Sequence, residues 1–234
     1  MFIIKTLKKW LSAMILHNRA KFVANQLRKP SGIFAKKVGK KMNESNHFLY
    51  DLVLNNFELK HHYRILEIGF GNGYFFRNIF SKANNLKISG IEFSKAMLKE
   101  ASKRNQKYLR NGKLDLYLGN SNQIPFEDSI FDLIFCVNVV YFWENLEEHF
   151  KEIYRVLKPK GKLYIGIRPK EILEKLPFAQ YGFHLLETDE WVKVLQENGF
   201  TFLSYKIQSE PNMQINKEAF TMKGICMIAE KNQK

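Results

Sequence analysis

The stretch Ile65-Leu66-Glu67-Ile68-Gly69-Phe70-Gly71-Asn72-Gly73-Tyr74 constrains this chain more than any other. A short apolar run closed by turn residues reads as a buried strand. The three glycines that follow permit positive φ and let a ligand approach the backbone with no Cβ in the way. A strand, a glycine-rich turn and a helix open a doubly wound α/β sheet, and such sheets bind ligands at the carboxyl ends of their strands.

The rest of the chain repeats that unit. Strands are expected at Arg64–Ile68, Lys87–Glu92, Lys113–Leu118, Phe131–Val137, Lys162–Ile167, Phe200–Ile207 and Phe220–Ala229. Helices are expected at Tyr74–Ala83, Lys95–Tyr108 (with Ser94 as N-cap), Leu146–Leu157 and Thr188–Asn198. Alternating strands and helices imply a parallel sheet covered on both faces. The last two strands have no crossover helix between them, so they should pair antiparallel.

The spacing of the glycines bears on the ligand. Dinucleotide binders use G-x-G-x-x-G with a pyrophosphate at the helix N-terminus, and Tyr74 stands where their third glycine would be. Glu67 lies inside the motif, and a carboxylate there favours a ligand carrying positive charge. S-adenosylmethionine has a sulfonium and an ammonium. A second carboxylate, Glu92 in Gly90-Ile91-Glu92-Phe93-Ser94, closes the second strand. In nucleotide-binding folds an acid at that place accepts hydrogen bonds from ribose hydroxyls.

With these residues in register, the chain resembles the class I S-adenosylmethionine-dependent methyltransferases, in particular the branch with the ubiquinone/menaquinone C-methyltransferases. The matching text is ILEIGFGNG, GIEFS, LGNSNQIPFEDSIFDLIF and EIYRVLKPKGKLYIG, in that order over about residues 64–168. The resemblance implies a Rossmann-like α/β fold. It has a seven-stranded, mostly parallel sheet with an antiparallel last strand, helices on both faces and an N-terminal helical arm. It also implies S-adenosylmethionine as methyl donor, S-adenosylhomocysteine as product and no metal. Glu67, Gly69, Phe70 and Gly71 would line the methionine part, with Gly73 allowing tight helix packing. Glu92 would hold the ribose, Phe93 would lie against adenine, and Asn138 would border cofactor and acceptor. Asn120 and Ser121 follow the third strand, where the family commonly has Asp and a small residue. The Asn120 carbonyl can accept from an adenine amino group, with Gln123 as a substitute. Asp132 reads as structural.

Tyr141, Phe142 and Trp143 follow the fourth strand and serve either as core or as a substrate wall. His184, in a flap after the fifth strand, is the first candidate base, with Tyr141 as second catalytic candidate.

Charge divides the chain. Residues 1–43 carry 11 Lys/Arg and no Asp or Glu; the other 26 basic residues face all 23 acidic ones, out of a formal net charge of +14. Residues 1–56 are therefore read as a basic helical arm and 57–234 as the cofactor-binding domain. In the arm, Ile3, Leu7, Leu11, Met14 and Ile15 recur at helical spacing beside Trp10, and Pro30 must end that helix. Its apolar run is too short and too interrupted to span a bilayer or to serve as a signal peptide. Three roles compete for it: a lid with the Lys29–Gly32 turn and the Met42–Asn46 segment, contact with an anionic membrane, or a solvated helix or nucleic-acid contact. A second short helix is expected over Asn43–Asn56, after a basic segment that ends at Lys41. Cys136 and Cys226 form no disulfide framework and fit a reducing compartment.

The reading is thus methyl transfer to a small-molecule or lipid-like acceptor by in-line displacement. The location is cytoplasmic, or peripheral to the inner face of a membrane through the basic N-terminal helix. The alternatives are an RNA or protein methyltransferase, or a non-catalytic S-adenosylmethionine-binding protein. Nucleic acid ranks lower as a partner; Asn138-Val139-Val140-Tyr141 lacks both prolines of an N-P-P-Y motif, which lowers amino-methylation of bases specifically and leaves other RNA sites open.

Overall fold

The computed structural model describes residues 17–211, 213–215 and 218–233, without the side chains of 212–220. The apolar stripe at residues 3–15 lies outside this set. Helix α1 covers residues 17–28 and stops before Pro30, as its ring requires. A 3₁₀ turn at Gly32–Phe34 leads into α2 (Ala35–Asn55).

From there strands and helices alternate: β1 (Arg64–Ile68), α3 (Phe76–Phe80), β2 (Lys87–Glu92), α4 (Lys95–Arg104), α5 (Gln106–Arg110), β3 (Leu114–Leu118) and β4 (Phe131–Val137). A 3₁₀ turn at Val140–Phe142 precedes α6 (Leu146–Val156), β5 (Leu157–Ile167), α7 (Lys170–Leu173), α8 (Thr188–Glu197) and β6 (Phe200–Ser209). The chain closes with β7 (Met213–Ile215), β8 (Glu218–Phe220) and β9 (Lys223–Lys231).

Seven strands form one sheet in the order β3-β2-β1-β4-β5-β9-β6. The strands from β1 to β5 pair in parallel, and β9 runs antiparallel to both β5 and β6. The order reverses between β1 and β4, so the carboxyl ends of these strands flank the crevice where such sheets take ligands.

Alternation along β1 assigns the two faces. Leu66 and Ile68 join Ile134, Phe150, Ile153, Trp191 and Leu195 in the layer under α6 and α8. Ile65 packs with Leu49, Val53, Phe76, Ile79 and Ile88 under α2, α3 and α4. Glu67 shares the parity of Ile65, and so meets α2.

Several boundaries differ from the sequence reading. Helix α2 starts at Ala35 instead of Asn43 and absorbs the basic segment, whose Lys36, Lys37, Lys40 and Lys41 are exposed along it. Gly39 sits inside α2 because a Cβ there would come within 3.1 Å of Asn72 Nδ2 and 3.2 Å of Met97 Sδ. The helix expected over Lys95–Tyr108 is split at Asn105, whose side-chain amide donates to Gly73 O at 2.9 Å and to Ala101 O at 3.0 Å. The helix after the glycine turn begins only at Phe76, because residues 71–75 belong to the turn. Strand β5 starts at Leu157 and includes Lys158-Pro159-Lys160-Gly161, expected as a loop; a register shift against β4 accommodates the extra residues. The hairpin β7–β8 was not legible, and Phe220 belongs to it instead of opening β9. Asp132 is structural: it accepts from Arg64 N at 2.8 Å and from Lys158 Nζ at 2.6 Å.

Candidate active site

The carboxyl ends of β1, β2, β3 and β4 open on a cavity of about 330 Å³. Gly69, Gly71, Glu92 and Phe93 line it, as do Leu27, Arg28 and Pro30 before α2 and Asn43, Asn46 and Tyr50 on α2.

Glu92 is the best-defined polar group of the wall. It is 5% exposed. Its Oε2 accepts from Gly71 N at 3.1 Å and its Oε1 from Ser94 N at 2.7 Å. Burial pushes its pKa up, against these backbone donors and the field of Lys29, which favour the ionised form. Each carboxylate oxygen has a further lone pair, which is what a pair of vicinal hydroxyls needs. Gly71 has φ +55, and a Cβ there would meet nothing within 4 Å, so a side chain would enter the open space. At Gly69, with φ +73, a Cβ would fall 2.4 Å from Val139 Cγ2. The turn thus has a cradle that only glycine leaves empty, next to a buried acceptor. An adenosyl ligand fits both features.

Glu67, expected to line the methionine site, is not among the cavity-lining residues; it is 2% exposed and accepts from Oη of Tyr50, which does line the cavity, at 2.7 Å. Burial raises its pKa to about 8; the Tyr50 hydrogen bond opposes that rise and the charge of Glu92 adds to it. The Tyr50 ring lines the cavity and stacks on Phe75 with centroids 3.7 Å apart.

Phe93 lines the cavity with Lys29 Nζ 4.9 Å from its ring centroid. Asn120 and Ser121 line it after β3. Ser121 Oγ is 2.7 Å from His149 Nδ1, and His149 stacks on Trp143 at 4.6 Å with an interplanar angle of 4°. Burial lowers the His149 pKa to about 4, so the imidazole is neutral at physiological pH. Asn138, with φ +56, donates to Asn46 Oδ1 at 2.9 Å and accepts from Tyr141 Oη at 3.2 Å.

Residues 66–165 match the methyltransferase domain family. YdaC of Bacillus subtilis, described as an uncharacterized methyltransferase, is 32% identical over 130 residues, covering 56% of this chain and 70% of that protein. A second from the same organism, YrhH, is 33% identical over 116 residues, half of this chain and 63% of its own length. The matches thus span about two thirds of the length of these two relatives. The chain belongs to the class I S-adenosylmethionine-dependent methyltransferases. Among solved structures, the methyltransferase in complex with the Haloferax volcanii Trm112 activator shares the fold. Its TM-score is 0.73 at 14% identity, with 86% of this chain and 96% of that one covered.

Within this methyltransferase, Gly69, Phe70, Gly71, Glu92, Phe93, Asn120, Ser121 and Asn138 come together around one cavity. Gly73 stands apart from it, pressed against Asn105 and Ala101. Tyr141 is 2% exposed and fixed in the core; its Oη accepts from Arg168 N while donating to Asn138. Phe142 and Trp143 form wall, whereas Tyr141 packs behind them. His184 is half-buried outside the cavity lining, tied by its backbone N to Tyr141 O at 2.9 Å. Gln123 is exposed and does not line the cavity.

Sequence reasoning missed Tyr50 and His149, both of which line the cavity. His149 lies in the first turn of the helix after β4, and Cβ atoms in a helix tilt toward its N-terminus, here toward the carboxyl edge of the sheet. That position was the available signal. Tyr50 could be found only by knowing that α2 crosses the sheet.

Proposed function

We propose that the protein transfers the methyl group of S-adenosylmethionine to a small-molecule or lipid-like acceptor. The observation that carries this reading is the Glu92 carboxylate, buried in the cavity wall next to the empty space at Gly71. When bound, the donor supplies an electrophilic methyl on a positively charged sulfur.

The chain's own residues supply placement. Glu92 would accept from the ribose hydroxyls, and Glu67 would offer negative charge below the sulfonium and ammonium. Phe93 and the Trp143–His149 stack would flank the purine, with Asn120 and Ser121 at its edge. Asn46 and Asn138 would border the acceptor, at the end of β4. The methyl is already activated, so the chain's main task is alignment; holding two reactants in line supplies up to roughly 7–11 kcal/mol of a barrier. The lone histidine inside the cavity lining is neutral and bonded to Ser121. With its pKa lowered to about 4 it is a weak base, which supports a mechanism of alignment over one built on proton removal.

The arm is read as cover. The turn at Leu27–Pro30 and the first half of α2 roof the cavity, and Arg28 reaches Glu144 across its rim at 2.6 Å. Leu49 and Val53 are fully buried against the sheet, so any moving part ends before them. Among the described residues no helix is long and apolar enough to cross a membrane; a cytoplasmic location, with peripheral membrane contact through the basic arm, is the location proposed.

The test is methyl transfer from labelled S-adenosylmethionine to fractionated small-molecule and lipid extracts. Label should move into a low-mass fraction with the native protein and not with Glu92→Ala. Label that goes only to RNA or protein would overturn the acceptor class.

A further inference from the structure

Ile33 is 90% exposed, and Phe34 and Phe22, in edge contact with centroids 5.4 Å apart, are 47% and 45% exposed. The turn Gly32–Phe34 buries none of its residues. It is nevertheless held firmly. Ser94 Oγ donates to Pro30 O at 2.5 Å, Gln26 and Ser31 exchange two hydrogen bonds of 3.1 Å, and Ala35 just after the turn is buried. An apolar tip kept in place but left uncovered by the described residues marks an interaction surface.

Its surroundings are cationic. Ile33, Lys36, Lys37, Lys40 and Arg104 line one open groove of about 620 Å³, with Glu100 beside Arg104 on α4. Residues 17–43 hold eight Lys/Arg and no Asp or Glu. Lys41 is partnered by Glu44 at 3.0 Å; no comparable partner is seen among the described residues for Lys36, Lys37 or Lys40.

We propose that this tip docks on the surface of an anionic phospholipid bilayer. Ile33, Phe34 and Phe22 enter the interfacial layer, and Lys36, Lys37 and Lys40 meet the headgroup phosphates. Apolar insertion and attraction to anionic lipid reinforce each other in interfacial segments, and one signal alone binds weakly. A surface for a nucleic-acid backbone would need the cations, but it has no use for a fully exposed isoleucine. Leu27, Arg28 and Pro30 of the cavity lining stand just before Ile33 in the chain, so docking would bring that side of the cavity toward the bilayer. That makes an amphiphile the natural acceptor, a corollary that rests on the methyl-transfer reading; the docking itself does not.

The experiment is co-sedimentation of the full chain with phosphatidylcholine vesicles, with and without phosphatidylglycerol, at low and high salt. Retention is expected only with phosphatidylglycerol and should fall with salt. Ile33→Ser with Phe34→Ser should weaken it at least roughly tenfold, and Lys36→Glu with Lys37→Glu and Lys40→Glu should abolish it. These side chains are exposed, so unfolding curves should match the parent protein. Leu203→Ser with Ile207→Ser, exposed on β6, should leave retention unchanged. No retention on anionic vesicles, or retention that both tip variants leave intact, would overturn the proposal. So would tighter, salt-sensitive retention on RNA that ignores Ile33→Ser. None of these outcomes depends on methyl transfer, so the docking and the methyl-transfer reading can fail separately; only the peripheral location proposed above falls with the docking.

Discussion

The Tyr50 hydroxyl donates to Glu67 across 2.7 Å, with both residues buried, linking α2 to the first strand of the sheet at the cavity lining. With its pKa raised to about 8 by burial, Glu67 holds a proton at neutral pH when no cation is near. A cationic ligand above it favours the carboxylate, so binding must expel that proton. Binding heats for S-adenosylmethionine, measured at neutral pH in buffers of different ionisation enthalpy, should show proton release. Affinity should rise with pH up to about 8. Glu67→Gln should remove the proton release. Tyr50→Phe removes a hydrogen bond that lowers the Glu67 pKa, so it should move the affinity profile to higher pH. Buffer-independent heats in the parent protein would count against this.

The same shift carries a stability consequence. The folded state keeps the Glu67 proton between the ordinary 4.5 and about 8, while the unfolded chain loses it. This contribution is whole below 4.5 and is lost as pH rises through about 8. His149 acts in the opposite direction. Its folded pKa of about 4 against 6.5 means the unfolded chain takes the proton first, so stability falls as pH drops from 6.5 toward 4. Urea unfolding across this range should show a shallower acid limb for His149→Gln than for the parent. An unchanged limb would remove His149 from the account.

Gly69 and Gly71 should separate stability from binding. Alanine at Gly69 combines a left-handed backbone with a Cβ 2.4 Å from Val139, and should cost about 2–4 kcal/mol of stability. Alanine at Gly71 meets nothing within 4 Å and should cost only about 1–2 kcal/mol, yet lose most cofactor affinity. Denaturant titration with binding heats on both variants checks the pair; equal affinity losses would contradict it.

Arg168 and Glu210 form an ion pair with both side chains at most 5% exposed. Arg168 also donates to Ser45 O at 2.9 Å and Lys223 O at 3.1 Å, and so clamps α2 to the far half of the sheet. Removing one partner strands a buried charge, and Glu210→Ala should cost about 3–5 kcal/mol. Arg168→Met with Glu210→Leu should recover much of that loss. Urea midpoints of the single and double variants decide it.

What could be read from the sequence depended on how local the signal was. Ile65–Gly73 and Gly90–Ser94 carry strand, turn and acid within a few residues, so the sheet and the Glu92 wall were legible. Strands β1, β2 and β4 fell on their expected residues because buried parallel strands are continuous apolar runs. The roof was less legible. Helix α2 hides its start behind lysines and a glycine, and the value of Gly39 shows only where α4 comes close. Asn105 ends α4 through a bond to Gly73, 32 positions away, which no helical pattern announces. His184 drew attention by its flap, yet His149 lines the cavity, because fold position outweighs the neighbourhood in sequence.

The most direct test of the central claim is calorimetric titration of the purified protein with S-adenosylmethionine and S-adenosylhomocysteine, with NAD and Glu92→Ala as controls. The account predicts saturable binding of both adenosyl ligands, no heat with NAD, and loss of binding in a folded Glu92→Ala. Absence of binding by folded parent protein, or full affinity in Glu92→Ala, would contradict it.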